Sequence, residues 1–292
     1  MKIAIFGQYY QSDTEEIVEK VVHTLLDNQV TVIIEKKFHG DIKTPLKEKC
    51  STYSSHEELE KDIDILISIG GDGTILRAVT YVRDKQIPIV GINAGRLGFL
   101  ATVQIKNIEP FIYKILAKEY TLSKRSLLSL SCTPKNPDLV DLNFALNEVT
   151  VSRKDTTSMI TIETYLNGEY LTSYWADGLI IATPTGSTGY SLSCGGPVLI
   201  PNVNSLVITP IAPHNLNARP LVIPDDTEIT LKVSGREEQY LVSLDSRITS
   251  VTNETLLKIV KTPFEINMVA FNEEGFLKTI RKKLLWGEDR RN

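Results

Sequence analysis

The chain has 292 residues, enough for one large domain or two of ordinary size. With 42% hydrophobic and 23% charged residues it has the balance of a globular protein, without disordered composition in any segment. A net charge of −4 argues against a nucleic-acid partner, and no apolar run approaches the ~18 residues that span a bilayer.

The opening MKIAIFGQYYQSD reads as a first strand, Lys2 to Phe6, and not as a signal peptide. Ser12-Asp13-Thr14-Glu15 is a capping box, after which Ile17, Val18, Val21, Val22, Leu25 and Leu26 recur at helical spacing. Val30 to Ile34 is a second β-branched run, His39 to Ser55 is irregular, and Glu57 to Asp62 reads as a short polar helix. Ile63 to Ile69 is a continuous apolar strand, of the kind buried on both faces of a parallel sheet. A helix from Ile75 to Arg83, a strand from Ile87 to Ile92 and a helix from Ile108 to Tyr120 follow. This alternation predicts an open parallel sheet.

From Leu127 to Phe271 the texture is of strands and turns, with no long amphipathic helix. Runs at Leu146–Ser152, Met159–Leu166, Leu179–Thr183, Ser205–Ile211, Glu228–Val233 and Leu256–Val260 predict a β-sandwich, and Asn167-Gly168 marks a hairpin turn. Phe276, Leu277, Ile280 and Leu284 then make one amphipathic helix, which has to bury its face against an earlier element. The expected division is 1–102 as an α/β domain, 103–270 as a β-sandwich domain and 271–292 as a helix returning to the first domain. Cys50, Cys132 and Cys194 have neither disulfide nor metal-finger spacing, so reduced thiols in a cytoplasmic protein are expected.

The strand ending at Ile69 runs into Gly70-Gly71-Asp72-Gly73. Loops at the carboxyl edge of a parallel sheet bind ligands, and glycines let a ligand approach the main chain without meeting a Cβ. A helix starting near Thr74 offers free N–H groups to a phosphate, while Asp72 can accept a proton or hold Mg²⁺. The alternative is a tight turn in which Asp72 caps its own helix. A second cluster, Gly91 to Leu100, follows the next strand, either beside the first loop or simply leaving the domain. In the β half, Asn147-Glu148 interrupts an apolar run, as an edge bulge or as a ligand-holding pair. Asp177 to Pro197 is a strand feeding a loop of hydroxyls and glycines, suited to phosphate and ribose oxygens or else an ordinary surface loop. Neither a G-x-x-x-x-G-K-[ST] nor a G-x-S-x-G is present, which removes the P-loop and the serine-hydrolase elbow.

Six blocks, GGDGTIL (70–76), NAGRLGFL (93–100), LNEV (146–149), DGLIIATPTGSTGYSLSCGGP (177–197), ITPIAPHNLNARPLVI (208–223) and LDSR (244–247), resemble the NAD kinase family in that family's order. The resemblance implies an α+β two-domain fold: an N-terminal Rossmann-like α/β open sheet, a C-terminal β-sandwich that binds NAD, and a C-terminal helix on the first domain. It implies transfer of the γ-phosphoryl group of ATP, with Mg²⁺, to the 2′-OH of the adenosine ribose of NAD, with Asp72 as general base. Gly73 would lie against the nucleotide and Arg77 would meet phosphate. Asn147 and Glu148 would hold the adenosine, and Asp177, Thr188, Gly189, Tyr190, Ser191, Leu192, Ser193 and Ala212 would line the rest of the NAD pocket. Gly189 stands where many members have alanine. Ser158, Trp175 and Arg247 replace basic residues, histidine or glutamine found in some members, so Arg247 is carried over only by its position. Small-molecule partners and a homo-oligomer, dimer or tetramer, are expected. Rival readings are a lipid kinase sharing Gly-Gly-Asp-Gly, which would need an apolar pocket, and an NAD(P)-binding sensor, which would not need Asp72.

Overall fold

The structure, a computed structural model, describes residues 1–8, 12–95, 97–155, 158–271 and 275–287, leaving aside the side chains of Ser12, Asp13 and Lys106. The first two residues of the expected capping box and Arg96 of the second glycine cluster therefore lie outside what is described. Two compact units emerge: Met1–Lys124 with Ile266–Asn292, and Arg125–Glu265. These limits differ from the expected breaks at 102/103 and 270/271. The reason is that the Ile108–Leu116 helix, the Ile266–Ala270 strand and all but the last residue of the Thr121–Arg125 strand belong to the first unit.

In the first unit the strands are β1 (Lys2–Gly7), β2 (Thr31–Glu35), β3 (Ser51–Tyr53), β4 (Ile65–Gly70), β5 (Ile89–Asn93), β6 (Ala101–Gln104) and β7 (Thr121–Arg125). The second unit carries β8 (Leu128–Thr133), β9 (Phe144–Ala145), β10 (Glu148–Arg153), β11 (Ile160–Leu166), β12 (Glu169–Ala176), β13 (Gly178–Ala182) and β14 (Ser205–Ile211). It continues with β15 (Leu221–Pro224), β16 (Ile229–Ser234), β17 (Gln239–Leu244), β18 (Arg247–Thr252) and β19 (Leu256–Lys261), and β20 (Ile266–Ala270) returns to the first. The helices are α1 (Ser12–Asp27), α2 (Lys36–Asp41), α3 (Asp72–Val82), α4 (Ile108–Leu116), α5 (Tyr190–Ser193) and α6 (Phe276–Leu284).

The first sheet runs β3-β2-β1-β4-β5-β20-β7, with β6 also on β5, and the β1–β2, β1–β4 and β4–β5 ladders are parallel. The Ile/Leu run of β4 is buried on both faces, as a central parallel strand requires. Its apolar residues join Ile17, Val18, Val21, Val22 and Leu25 of α1 in one core. The strand order reverses between β1 and β4, and the glycine–aspartate loop leaves the carboxyl end of β4 beside that reversal, where open sheets bind ligands. The segment expected to be irregular contains α2 and β3, whereas Glu57–Asp62 forms turns and no helix. A strand as short as β3 carries too little periodicity to be read from sequence. α6 belongs to this unit, burying Thr279 and Ile280 and setting the Lys283 ammonium 5.5 Å from the Phe99 ring centre.

The second unit is a sandwich of two antiparallel six-stranded sheets, β15-β14-β13-β10-β17-β18 and β12-β11-β16-β19-β8-β9. Alternate residues of both fill one core, among them Val149, Val151, Leu179, Ile181, Ile162, Leu231 and Tyr240. Asn167 (φ 50°) and Gly168 (φ 83°) close the β11–β12 hairpin with two left-handed residues, the turn that Asn-Gly favours.

Candidate functional site

The expected residues fall into two sets, one in each unit. In the first, Gly71 is the N-cap of α3 and Asp72 its first residue. Asp72 does not cap its own helix. Its carboxylate accepts the backbone N–H groups of Phe99 (2.8 Å), Leu100 (3.0 Å) and Ala101 (2.9 Å). The two glycine-bearing loops are thus joined, as neighbouring strands β4 and β5 allow. An ionised carboxylate has about four acceptor positions, and three are taken in this arrangement. Gly98 makes the approach feasible, since a Cβ there would overlap the Asp72 carboxylate.

Gly71 and Gly73 differ in kind. Both are exposed, and a Cβ on either would meet nothing within 4 Å. Neither carries a positive φ. The described structure therefore gives no packing reason for glycine at 71 or 73. A ligand passing close to the main chain does give one. Arg77 lies exposed on α3, and its carbonyl accepts the Thr80 hydroxyl.

In the second unit, β10 lies between β13 and β17 with Glu148 opposite Ala182, so Asn147-Glu148 is not an edge bulge. Asn147 Oδ1 and Glu148 Oε2 are buried and have no hydrogen-bond partner among the described residues. Such atoms cost free energy unless something supplies a partner. Burial, then the charge of Asp245, pushes the Glu148 carboxyl up to about 8, so it is a neutral acid at pH 7 and can donate as well as accept. Gly189 faces this pair: a Cβ there would sit 3.1 Å from Glu148 Oε2 and 3.4 Å from Asn147 Nδ2. The loop is anchored here by Thr183, whose N–H and hydroxyl donate to the carbonyls of Asn147 (2.9 Å) and Leu146 (2.6 Å).

The hydroxyl-rich segment is a packed loop and not an ordinary surface one, for Thr183, Thr185, Gly186 and Ser187 are buried. Several hydroxyls expected to face a ligand are spent on the loop itself. Ser187 bonds the Pro184 carbonyl and the Leu199 N–H, Thr188 donates to the Thr185 carbonyl, and Ser191, fully buried, pairs with Thr209 at 2.8 Å. Tyr190 and Ser193 are exposed on the short α5, and Leu192 is half-buried between them. Asp177 forms an ion pair with Arg153 at 3.1 Å and donates its N–H to Ile211, next to Ala212, which adopts φ 44°. Arg247 donates to the Leu142 and Phe144 carbonyls and lies over the Phe144 ring, contacts that hold the β9 segment.

Asp245 and Arg153 were not anticipated. Asp245, in the left-handed region at φ 53°, accepts the N–H groups of Leu146 (3.0 Å), Asn147 (2.8 Å) and Glu148 (3.2 Å). The only sequence signal was its place in the LDSR block, and nothing in the spacing linked it to a segment nearly a hundred residues earlier.

A glycine-flanked carboxylate at the reversal of a parallel sheet, together with a β-sandwich presenting unpartnered buried polar atoms beside a small-residue loop, defines a nucleotide-dependent phosphotransferase. The chain belongs to the NAD kinase family: the model of the ATP-NAD kinase N-terminal domain matches residues 3–120 and that of the C-terminal domain residues 146–271. An NAD kinase of Flavobacterium psychrophilum is 68% identical over 295 residues, covering all of both chains. Among solved structures, an NAD kinase from Archaeoglobus fulgidus in complex with ATP is 27% identical with a TM-score of 0.74, covering 97% of each chain. The yeast NADH kinase complexed with NADH shares the fold at a TM-score of 0.89 and 24% identity, covering 99% of this chain and 88% of its own.

Proposed function

We infer that this enzyme phosphorylates NAD, moving the γ-phosphoryl group of ATP to the 2′-OH of the adenosine ribose to give NADP. The observation that carries the nucleotide site is the buried, unpartnered pair Asn147 Oδ1 and Glu148 Oε2 facing Gly189. A ligand with both donors and acceptors satisfies an amide oxygen and a protonated carboxyl together. Glu148 supplies an O–H as well as a lone pair, while Asp177, Thr188, Tyr190, Ser193 and Ala212 line the remainder of the dinucleotide's path.

Asp72 is the general base. A ribose hydroxyl is a poor nucleophile at pH 7, and its proton becomes acidic as the O–P bond forms, so an adjacent carboxylate takes it late in transfer. The Phe99–Ala101 amides fix that carboxylate and leave one acceptor position for the hydroxyl. Base assistance supplies ~10²–10⁴-fold, and positioning and charge neutralisation supply the rest. The described residues offer no group of three side chains able to hold a metal ion. Mg²⁺ is expected to arrive on the phosphates of ATP, where it would neutralise charge during transfer. Arg77 and the Gly71–Gly73 backbone are assigned to the triphosphate. Among the described residues no helix is long and apolar enough to cross a membrane. A cytoplasmic location is part of the same proposal.

An NADP-specific dehydrogenase coupled to the purified protein with NAD and Mg-ATP tests the assignment. NADP accumulation with release of one ADP is expected, and ADP release with diacylglycerol but not with NAD would overturn it.

A further inference from the structure

We propose that Arg125 and Thr185 form an anion-binding pair that takes a phosphate group of the dinucleotide. This assignment rests on the NAD-phosphorylating reading and adds to it a binding residue, Arg125, that lies outside all six of the sequence blocks.

Arg125 opens the second unit, and its guanidinium sits against the hydroxyl-rich loop. Among the described residues that guanidinium makes one hydrogen bond, from Nη1 to the Thr185 hydroxyl, and at 3.5 Å it is a long one. Its Nε is buried and has no partner. Burial alone lowers the group to about 10, with no carboxylate offsetting the loss of water, so it is charged at pH 7 and lacks a counter-charge. A desolvated cation without an anion costs the folded state free energy. A neutral side chain would fill the same space at less cost, so packing does not explain arginine here. An anion brought by a ligand does.

Thr185 narrows the chemistry of that ligand. It is buried, its oxygen accepts from Arg125, and its own hydroxyl proton has no acceptor among the described residues. A guanidinium and a hydroxyl thus meet with donors to spare, and the group that completes them is an acceptor carrying negative charge. A phosphate oxygen fits, whereas a neutral base or a sugar hydroxyl leaves the cation unpaired. The place selects the dinucleotide. Gly186, the next residue, packs on Asn147, whose carbonyl a Cβ there would overlap. Thr183, two residues before Thr185, donates its N–H and hydroxyl to the carbonyls of Asn147 and Leu146. One packed loop therefore carries Thr185 and fixes the segment of the Asn147–Glu148 pair assigned to the same ligand.

Calorimetric titration of the full chain, without turnover, tests the pair. Arg125→Gln is expected to weaken binding of NAD and of 5′-AMP about tenfold or more, as loss of a hydrogen bond to a charged group does, while adenosine, which has no phosphate, stays within twofold. Arg125→Lys keeps the charge and is expected to retain part of the NAD affinity. Without ligand, the melting temperature of Arg125→Gln should be unchanged or raised, since an unpaired buried charge has gone. A purely structural arginine gives the opposite sign. Failure to fold, or a lowered melting temperature, in both Arg125→Gln and Arg125→Met would assign the residue to structure and overturn the pair. Equal losses for adenosine and NAD, or no loss for either, overturn it too, and affinity lost for ATP but kept for NAD overturns the dinucleotide as its ligand. If the unaltered chain binds NAD but forms no NADP, the kinase reading fails while the pair stands, so the two failures are distinguishable.

Discussion

The carboxylate of Asp245 accepts the backbone N–H of Asn147 at 2.8 Å, across 98 residues of sequence. The same side chain takes the N–H groups of Leu146 and Glu148, and the Asp245 N–H returns to the Glu148 carbonyl at 3.0 Å. One buried acid thereby sets the backbone of the pair proposed to hold the nucleotide. Its closeness to Glu148 also helps keep the Glu148 proton in place. Asp245→Ala leaves three buried N–H groups without their acceptor and is expected to cost at least ~2 kcal/mol in unfolding free energy. KM for NAD should rise more than kcat falls. Denaturant unfolding and initial rates measure the two, and a variant with unaltered KM would remove Asp245 from the site.

Glu148 gives a pH signature. Its carboxyl is raised from 4.5 to about 8 by burial and by the charge of Asp245. Between those values the unfolded chain gives up the proton while the native one keeps it, so the native state binds more protons and stability falls as pH rises. The contribution is complete below pH 4.5 and gone above pH 8. Thermal unfolding of the unaltered chain should therefore lose ground to Glu148→Gln as pH is raised from 5 to 8.5. NAD affinity should also decline above pH 8 in the unaltered chain and not in the glutamine variant. Parallel pH profiles for the two proteins would contradict the buried-acid assignment.

Asp72→Asn separates chemistry from architecture. The amide keeps the shape but cannot take a proton, so NADP formation should drop at least ~100-fold while NAD still binds. Because the amide NH₂ would confront one of the Phe99–Ala101 N–H groups, unfolding free energy should also fall by ~1–3 kcal/mol. Retained turnover would exclude Asp72 as the base.

What could be read from the sequence, and what could not, divides along a physical line. Periodicity disclosed β4, α3 and the sandwich strands, because burial on one or both faces leaves its mark in consecutive residues. The Asn167-Gly168 turn was legible because a two-residue loop of that hand restricts residue type. Glycine clusters marked the loops where a ligand is proposed to approach, since their composition is local. The partners were not legible. Asp72 reaching Ala101 and Asp245 reaching Leu146 are set by strand order, which no window of sequence contains. Nor could composition show that Ser187 and Ser191 spend their hydroxyls inside the loop, because a serine facing a ligand and a serine folding its own turn look alike.

Two glycines near Asp72 make the sharpest test, for they are glycine for different reasons. A Cβ on Gly98 would collide with the Asp72 carboxylate, so Gly98→Ala must shift either the loop or the acid. Unfolding free energy should fall by ~1–3 kcal/mol, the range for inserting a methyl group into packed structure, and activity should fall with it. Gly73 sits in the first turn of α3 with open space where its side chain would be. Alanine there removes the backbone-entropy penalty of a helical glycine and should raise stability by up to ~1 kcal/mol. Yet if the nucleotide passes against that backbone, the same methyl group obstructs it, and KM for ATP or NAD should rise at least severalfold. A more stable, less active Gly73→Ala enzyme, set beside a less stable Gly98→Ala one, is the expected pair in matched melting and rate measurements. Full activity in Gly73→Ala would mean that no substrate touches the loop, and the assignment of the Gly71–Gly73 backbone to a phosphate would have to be abandoned.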